Sequence, residues 1–248
     1  MEVIQGYTNS YGKYFDVPNY HFETYEEWQK FPKTMVAYSR EDKLDTFSTD
    51  DAGIYIQKFG DNTKAFRTHS EIPSFNYKAY AERYPEQRLV EKLLKEQSKI
   101  KLSKFPEGIT TIENVVTGQV IPFYDGYIKF RLFAQDAEMI ELYQLYLQAI
   151  KIFKELEDNG IIYTDIHTAN LVVHPETKDI QLIDFDDHRV YFDRYELSSM
   201  IDNLKATLNR LNEINGLKQI TNIDKTNSLN EIEEAVQYDA YKRIRIQK

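Results

Sequence analysis

The chain has 248 residues, with 40 acidic against 31 basic side chains and a formal net charge of −9, so sheathing nucleic acid, which needs a strong Lys/Arg excess, is excluded as its main activity. Hydrophobic residues make up 42% and aromatic residues 14%, enough apolar area for a packed core and too much for a disordered chain. Cysteine is absent, which removes disulfides, thiolate zinc sites and cysteine nucleophiles.

Met1 is followed by Glu2, Gln5 and Tyr7, without a basic or apolar leader, and no run approaches the roughly 18 apolar residues of a membrane span. A soluble, cytoplasmic protein without a membrane partner is expected. The histidines His21, His69, His167, His174 and His188 are isolated from one another, so a histidine metal cluster is not expected.

Residues 1–32 are aromatic and polar without a clear period, apart from a short helical stretch around Glu23 to Phe31. From Thr34 to Thr68 the chain alternates and is rich in Val, Ile, Thr, Tyr and Phe, with a turn signal at Gly60-Asp61-Asn62, which predicts an antiparallel meander. After Pro85, the residues Leu89, Val90, Leu93, Leu94 and Ile100 trace one face of a helix. Residues 109–124 then read as a hairpin ending in a connector at Pro122.

The longest helical pattern follows. Asp136 is the expected cap, Met139, Leu142, Tyr143, Tyr146, Ala149, Ile150, Phe153 and Leu156 form a broad apolar stripe, and Asn159-Gly160 supplies the stop. Two short apolar strands come next, LVVH and IQLIDFD, joined by the turn HPETKD. Helices are expected from about Arg194 to Asn215 and from about Ser228 onward. A small sheet with one helix, followed by a mostly helical half, is an α+β plan in two lobes, here 1–121 and 122–248, with a cleft between them as the expected site.

Residues 161–187, IIYTDIHTANLVVHPETKDIQLIDFDD, carry the chemistry. Asp165 and Asn170 fall in a polar loop after the long helix, and Asp184 ends an apolar strand. The order helix, Asp loop, Asn, strand, turn, strand, Asp-Phe resembles the catalytic loop and metal motif of the protein kinase-like superfamily. The stretch DIHTAN, with His167 two residues after the aspartate, and Asp186 where protein kinases have glycine, are closest in style to its aminoglycoside phosphotransferase and choline kinase branch. Tyr163-Thr164 stands where protein kinases have His-Arg, and no Ala-Pro-Glu motif follows Asp187.

The resemblance implies a two-lobed protein kinase-like fold, with a small antiparallel sheet plus one helix in the N-lobe. It also implies transfer of a phosphoryl group from ATP with Mg²⁺. On that pattern Asp165 is the general base, while Asn170 and Asp184 are oxygen ligands suited to a small hard cation. Asp186 and Asp187 are read as turn caps and His167 as a brace of the loop. For the nucleotide, Lys58, with Ile54 and Ile56 on its own strand face, is the phosphate-binding lysine, and Lys64 and Arg67 one strand later remain open. Helical phase favours Glu86 over Glu91 as its partner. Pro122 lacks an amide hydrogen, so the backbone of Phe123 or Tyr124 is expected to meet adenine. No GxGxxG precedes Lys58. The acceptor reads first as a hydroxylated small molecule and second as a protein substrate. A pseudokinase or ATP-binding interaction module is the reading from another class.

Overall fold

The structure, a computed structural model, describes residues 2–8, 12–24, 26–27, 34–38, 44–46, 54–59, 62–67, 99–103, 108–121, 124, 126–183 and 194–246; at 34–38, 44–46, 54–59, 62–67, 117–121, 194–196 and 246 it describes the backbone alone. The architecture is α+β. The chain divides into two compact units, Met1–Lys99 with Phe105–Asp125 and Ile100–Lys104 with Gly126–Lys248. No helix among the described residues is long and apolar enough to cross a membrane.

The first unit holds strands β1 (Glu2–Thr8), β2 (Tyr14–Phe22), β3 (Thr34–Tyr38), β4 (Leu44–Thr46), β5 (Ile54–Phe59), β6 (Asn62–Arg67), β7 (Gly108–Ile112) and β8 (Val115–Ile121). They form one sheet in the order β1-β2-β7-β8-β6-β5-β3-β4. The alternating stretch of the sequence supplies β3 to β6, paired antiparallel as expected but not as a meander: β5 pairs with β3 and leaves β4 at the edge, while β8, β7, β2 and β1 continue the sheet beyond β6. Its β2–β7 pair is parallel, whereas β1–β2 and β7–β8 are antiparallel. The helix expected after Pro85 lies outside the described residues.

Alternation in β2 buries Phe15 and Val17 against Tyr7, Ile109 and Val116. Full burial of such a side chain contributes on the order of 1.5–3 kcal/mol. The next inward position is polar, Asn19, and the cost of burying it is offset by the Thr111 hydroxyl, which donates to Asn19 Oδ1 at 2.8 Å. With its proton so engaged, Thr111 Oγ1 accepts from His21 Nδ1 at 2.9 Å, which places the imidazole proton on Nδ1. The β7–β8 turn consists of Glu113 and Asn114, at φ 50° and 64°. Two left-handed residues match the twist of a tight hairpin. At the start of β7 a Cβ on Gly108 would fall 2.6 Å from the Pro18 carbonyl oxygen, so only glycine allows β2 and β7 to approach there.

The second unit contains α1 (Phe130–Asp136), α2 (Met139–Asp158), α3 (Arg194–Ile214), α4 (Leu229–Ile246) and a 3₁₀ turn at Ile223–Lys225. Strands β9 (Ile128–Lys129), β10 (Leu171–Val173) and β11 (Ile180–Leu182) form a small sheet in the order β11-β10-β9. Nine side chains of α2 are buried, among them Leu142, Tyr143, Tyr146, Ile150 and Phe153, as its broad stripe requires. Asp136 is not the cap of α2. It is the last residue of α1; Glu138 precedes α2 without a side-chain cap bond, and the end of α1 is served instead by Asn215 Nδ2, which donates to the Ala134 and Ala137 carbonyls at 2.7 and 2.9 Å. Glu155 on α2 ties residues 101 and 102 to this unit by accepting their amides at 2.9 and 2.8 Å.

A buried polar network joins α2, α3, α4 and the segment before the 3₁₀ turn. Asp239, 1% exposed, accepts from Tyr143 Oη at 2.5 Å, Thr221 Oγ1 at 2.6 Å and Arg243 Nε at 2.5 Å. Burial alone would raise the Asp239 carboxyl, but the bonds from Thr221, Tyr143 and Arg243 outweigh it and hold the group below its ordinary value. Asn212 extends the network, accepting from Tyr146 Oη at 3.0 Å and donating to Tyr143 Oη at 3.1 Å. Ser228 caps α4, its Oγ accepting from the Glu231 amide at 3.3 Å, and the Glu231 carboxylate reaches back past the cap to accept from the Asn227 amide at 2.7 Å.

Candidate functional site

The loop between α2 and β10 carries the candidate site. At Gly160, φ 69°, the chain turns left-handed, and the Ile161 amide donates back to the Leu156 carbonyl at 2.8 Å, ending the helix. Ile161, Ile162, Tyr163 and Ile166 are buried, as is all of β10. Apolar anchors thus grip the loop on both sides and leave Asp165 and His167 between them at the surface, their side chains 41% and 49% exposed.

Asp165 and Asn170 are brought together. Asn170 Nδ2 donates to Asp165 Oδ2 at 2.8 Å and lies 3.0 Å from the Asp165 carbonyl oxygen and 3.1 Å from Tyr163 Oη. All three partners accept, so the amide must turn its nitrogen toward them. Its Oδ1 therefore points the other way, and none of the hydrogen bonds among the described residues uses it. Asn170 itself is 5% exposed and held on both backbone sides: its amide donates to the His167 carbonyl at 3.0 Å, and its carbonyl accepts from the Ile183 amide at 2.9 Å.

Tyr163, fully buried, links the loop to the end of the hairpin. Its hydroxyl donates to the Ile183 carbonyl at 2.8 Å, which leaves the same oxygen to accept from Asn170. His167 Nδ1 accepts the Ala169 amide at 3.2 Å, so the neutral ring carries its proton on Nε2. That Nε2 lies 3.6 Å from Asp165 Oδ2, too far for a hydrogen bond. His167 braces the loop as an acceptor.

The other expected site residues divide in two groups. Asp184, Asp186, Asp187, Glu86, Glu91 and Phe123 lie outside the described residues. Lys58 lies in β5 opposite Thr63, while Lys64 and Arg67 lie in β6 opposite Gln57 and Ile54. Of the three, Arg67 stands directly beside β8, opposite Gln119, on the strand that leads to the connector. Tyr124 is buried.

Two residues near the site carry no motif: Asn203 and Thr207 of α3. They donate to the carbonyls of Thr164, at 2.6 Å, and Ile166, at 3.1 Å. Their signal in the sequence is faint, a polar pair one helical turn apart beside the apolar stripe of Met200, Leu204, Leu208 and Leu211.

Chemically, the loop presents a half-exposed carboxylate oriented by one amide, and an amide oxygen turned away from it. Among the described residues no group of three or more His, Asp or Glu side chains is placed to hold a metal ion. No family model matches the chain, and no curated protein matches its sequence.

Proposed function

We propose that the chain is a cytoplasmic, ATP- and Mg²⁺-dependent phosphotransferase with a two-lobed protein kinase-like fold, transferring the γ-phosphate to the hydroxyl of a small molecule. The observation that carries this reading is the Asn170 amide, which orients the Asp165 carboxylate at 2.8 Å through Nδ2 and leaves Oδ1 for another partner. Mg²⁺, when bound, supplies charge neutralisation for the phosphates.

Within this reading Asp165 lies beside the acceptor hydroxyl and takes its proton as the new oxygen–phosphorus bond forms and the bond to the leaving diphosphate breaks. General-base catalysis of this kind contributes about 10²- to 10⁴-fold. A carboxylate with 41% of its side chain exposed is open to an incoming hydroxyl. Asn170 Oδ1 is one metal ligand and Asp184 the other. Lys58 with Glu86 is assigned to the phosphates, and the backbone of Phe123 and Tyr124 to adenine; these assignments, with that of Asp184, come from the sequence resemblance.

The test is γ-phosphoryl transfer from labelled ATP with Mg²⁺ to a panel of hydroxylated metabolites, and to protein extract. Transfer to a metabolite by the purified chain, abolished in Asp165→Ala with nucleotide binding retained, is the expected result. Unchanged turnover in Asp165→Ala removes the base assignment. Label entering protein alone moves the acceptor to a protein hydroxyl, and nucleotide binding without any transfer makes the chain a pseudokinase.

A further inference from the structure

Three successive backbone carbonyls surround Asp165, and each accepts a hydrogen bond from a side chain. Asn203 Nδ2 donates to Thr164 O at 2.6 Å, Asn170 Nδ2 to Asp165 O at 3.0 Å, and Thr207 Oγ1 to Ile166 O at 3.1 Å. No helix or strand runs through residues 163–167, so these side chains do what a ladder does elsewhere. Asn203 and Thr207 stand one turn apart on α3, and Thr207 is 4% exposed on a helix anchored by the buried Met200, Leu204, Leu208 and Leu211. The Asp165 carboxylate has a single described hydrogen bond, from Asn170, so its direction depends on the backbone that carries it.

We propose that Asn203 and Thr207 are positioning residues, a two-point clamp from α3 that fixes the loop backbone on either side of Asp165 and so aims its carboxylate at the acceptor. The role in transfer rests on the phosphotransferase reading above; the clamp itself does not. Both residues donate to the loop backbone next to Asp165, so each acts on the rate through Asp165. A reacting group displaced by about 1 Å loses on the order of 10²-fold in rate.

The experiment uses the full chain and four variants: Thr207→Val, which keeps the shape and removes the donor, Thr207→Ser, which restores it, Asn203→Leu and Asp165→Ala. Two readouts are taken, the transfer kinetics and the amide exchange of Ala169 and Asn170, whose amides are bonded within the loop at 3.2 and 3.0 Å. In Thr207→Val and Asn203→Leu, kcat falls about 10- to 100-fold with KM for ATP unchanged, and the two amides exchange about tenfold faster while those of α4 do not change. Thr207→Ser returns both readouts to the starting values. Unaltered kcat and exchange in both clamp variants overturn the proposal, and so does faster exchange throughout α4, which marks general destabilisation. If Asp165→Ala is inactive while the clamp variants turn over normally, the clamp fails and the phosphotransferase reading stands. If the unmodified chain transfers nothing, that reading fails and exchange alone decides the clamp: acceleration confined to the loop supports it, and no acceleration overturns it.

Discussion

Replacing Tyr163 by phenylalanine deletes one oxygen from a fully buried position, and the cost follows from counting hydrogens. Asn170 Nδ2 carries two hydrogens and faces three acceptors within 3.1 Å, so removing the Tyr163 hydroxyl still leaves it the Asp165 carboxylate and carbonyl. Among the described hydrogen bonds, the group deprived of its donor is the Ile183 carbonyl, which loses a 2.8 Å bond. A single neutral hydrogen bond is worth a net 0.5–1.5 kcal/mol, so Tyr163→Phe should cost about 1 kcal/mol and lower Tm by roughly 2–4 °C in a chain of this size. Asn170→Ala is different. It strips the donor from the Asp165 carboxylate and carbonyl together and opens a small void, so about 2–3 kcal/mol is expected. Urea unfolding followed by ellipticity at 222 nm reads the difference, because helices α1 to α4 belong to the unit that carries the loop. Equal losses in the two variants, or a larger loss in Tyr163→Phe, would refute the hydrogen-bond count.

In the Asp239 network, Asp239→Ala removes the acceptor of the buried Tyr143 hydroxyl, of Thr221 Oγ1 and of Arg243 Nε, while Arg243 keeps its bonds to the Lys218 and Gln219 carbonyls, and should cost about 2–3 kcal/mol, visible as a fall in the urea midpoint. Burial, and then the bond to Asp239, pushes the Tyr143 hydroxyl from its ordinary value of 10.0 up to about 12. Its contribution is therefore present below pH 10, is lost as pH rises through about 12, and is absent from the alkaline limb of stability in Tyr143→Phe. Asp239, held below its ordinary value, acts in the opposite window: its contribution is full above that value and fades as pH falls through the folded one, which acid titration of stability measures against Asp239→Asn. Gly108→Ala forces a Cβ to 2.6 Å from the Pro18 carbonyl oxygen and should destabilise the β2–β7 contact by about 1–3 kcal/mol, seen as faster amide exchange in both strands.

Elements set by local chemistry were legible in the sequence. The stripe of α2, its stop at Asn159-Gly160, the β10–β11 hairpin and the juxtaposition of Asp165 with Asn170 depend on residues close together along the chain. What was missed depends on distant partners. The β1–β2 ribbon hid because its inward positions include Asn19, satisfied by Thr111 92 residues on, and because Pro18 interrupts the strand pattern. The misplaced cap at Asp136 has the same cause: the carbonyls at the end of α1 are satisfied by Asn215, 78 residues beyond Ala137, rather than by a local motif. Asn203 and Thr207 meet their carbonyl partners across 39 and 41 residues, and nothing in helical periodicity marks them as donors to a loop. The lysine register stayed open because alternation is the same in β5 and β6; only strand order distinguishes the one that borders β8.

The most direct measurement of the claim that Asp165 and Asn170 face one metal–nucleotide site is paramagnetic broadening by Mn²⁺ in the presence of ATP. The account predicts that the side-chain amide of Asn170 and the backbone amide of Asp165 broaden at substoichiometric Mn²⁺, that excess Mg²⁺ reverses the effect, and that Asn170→Ala abolishes it at Asp165. Sharp resonances at both positions, with ATP and Mn²⁺ bound elsewhere or not at all, would contradict it.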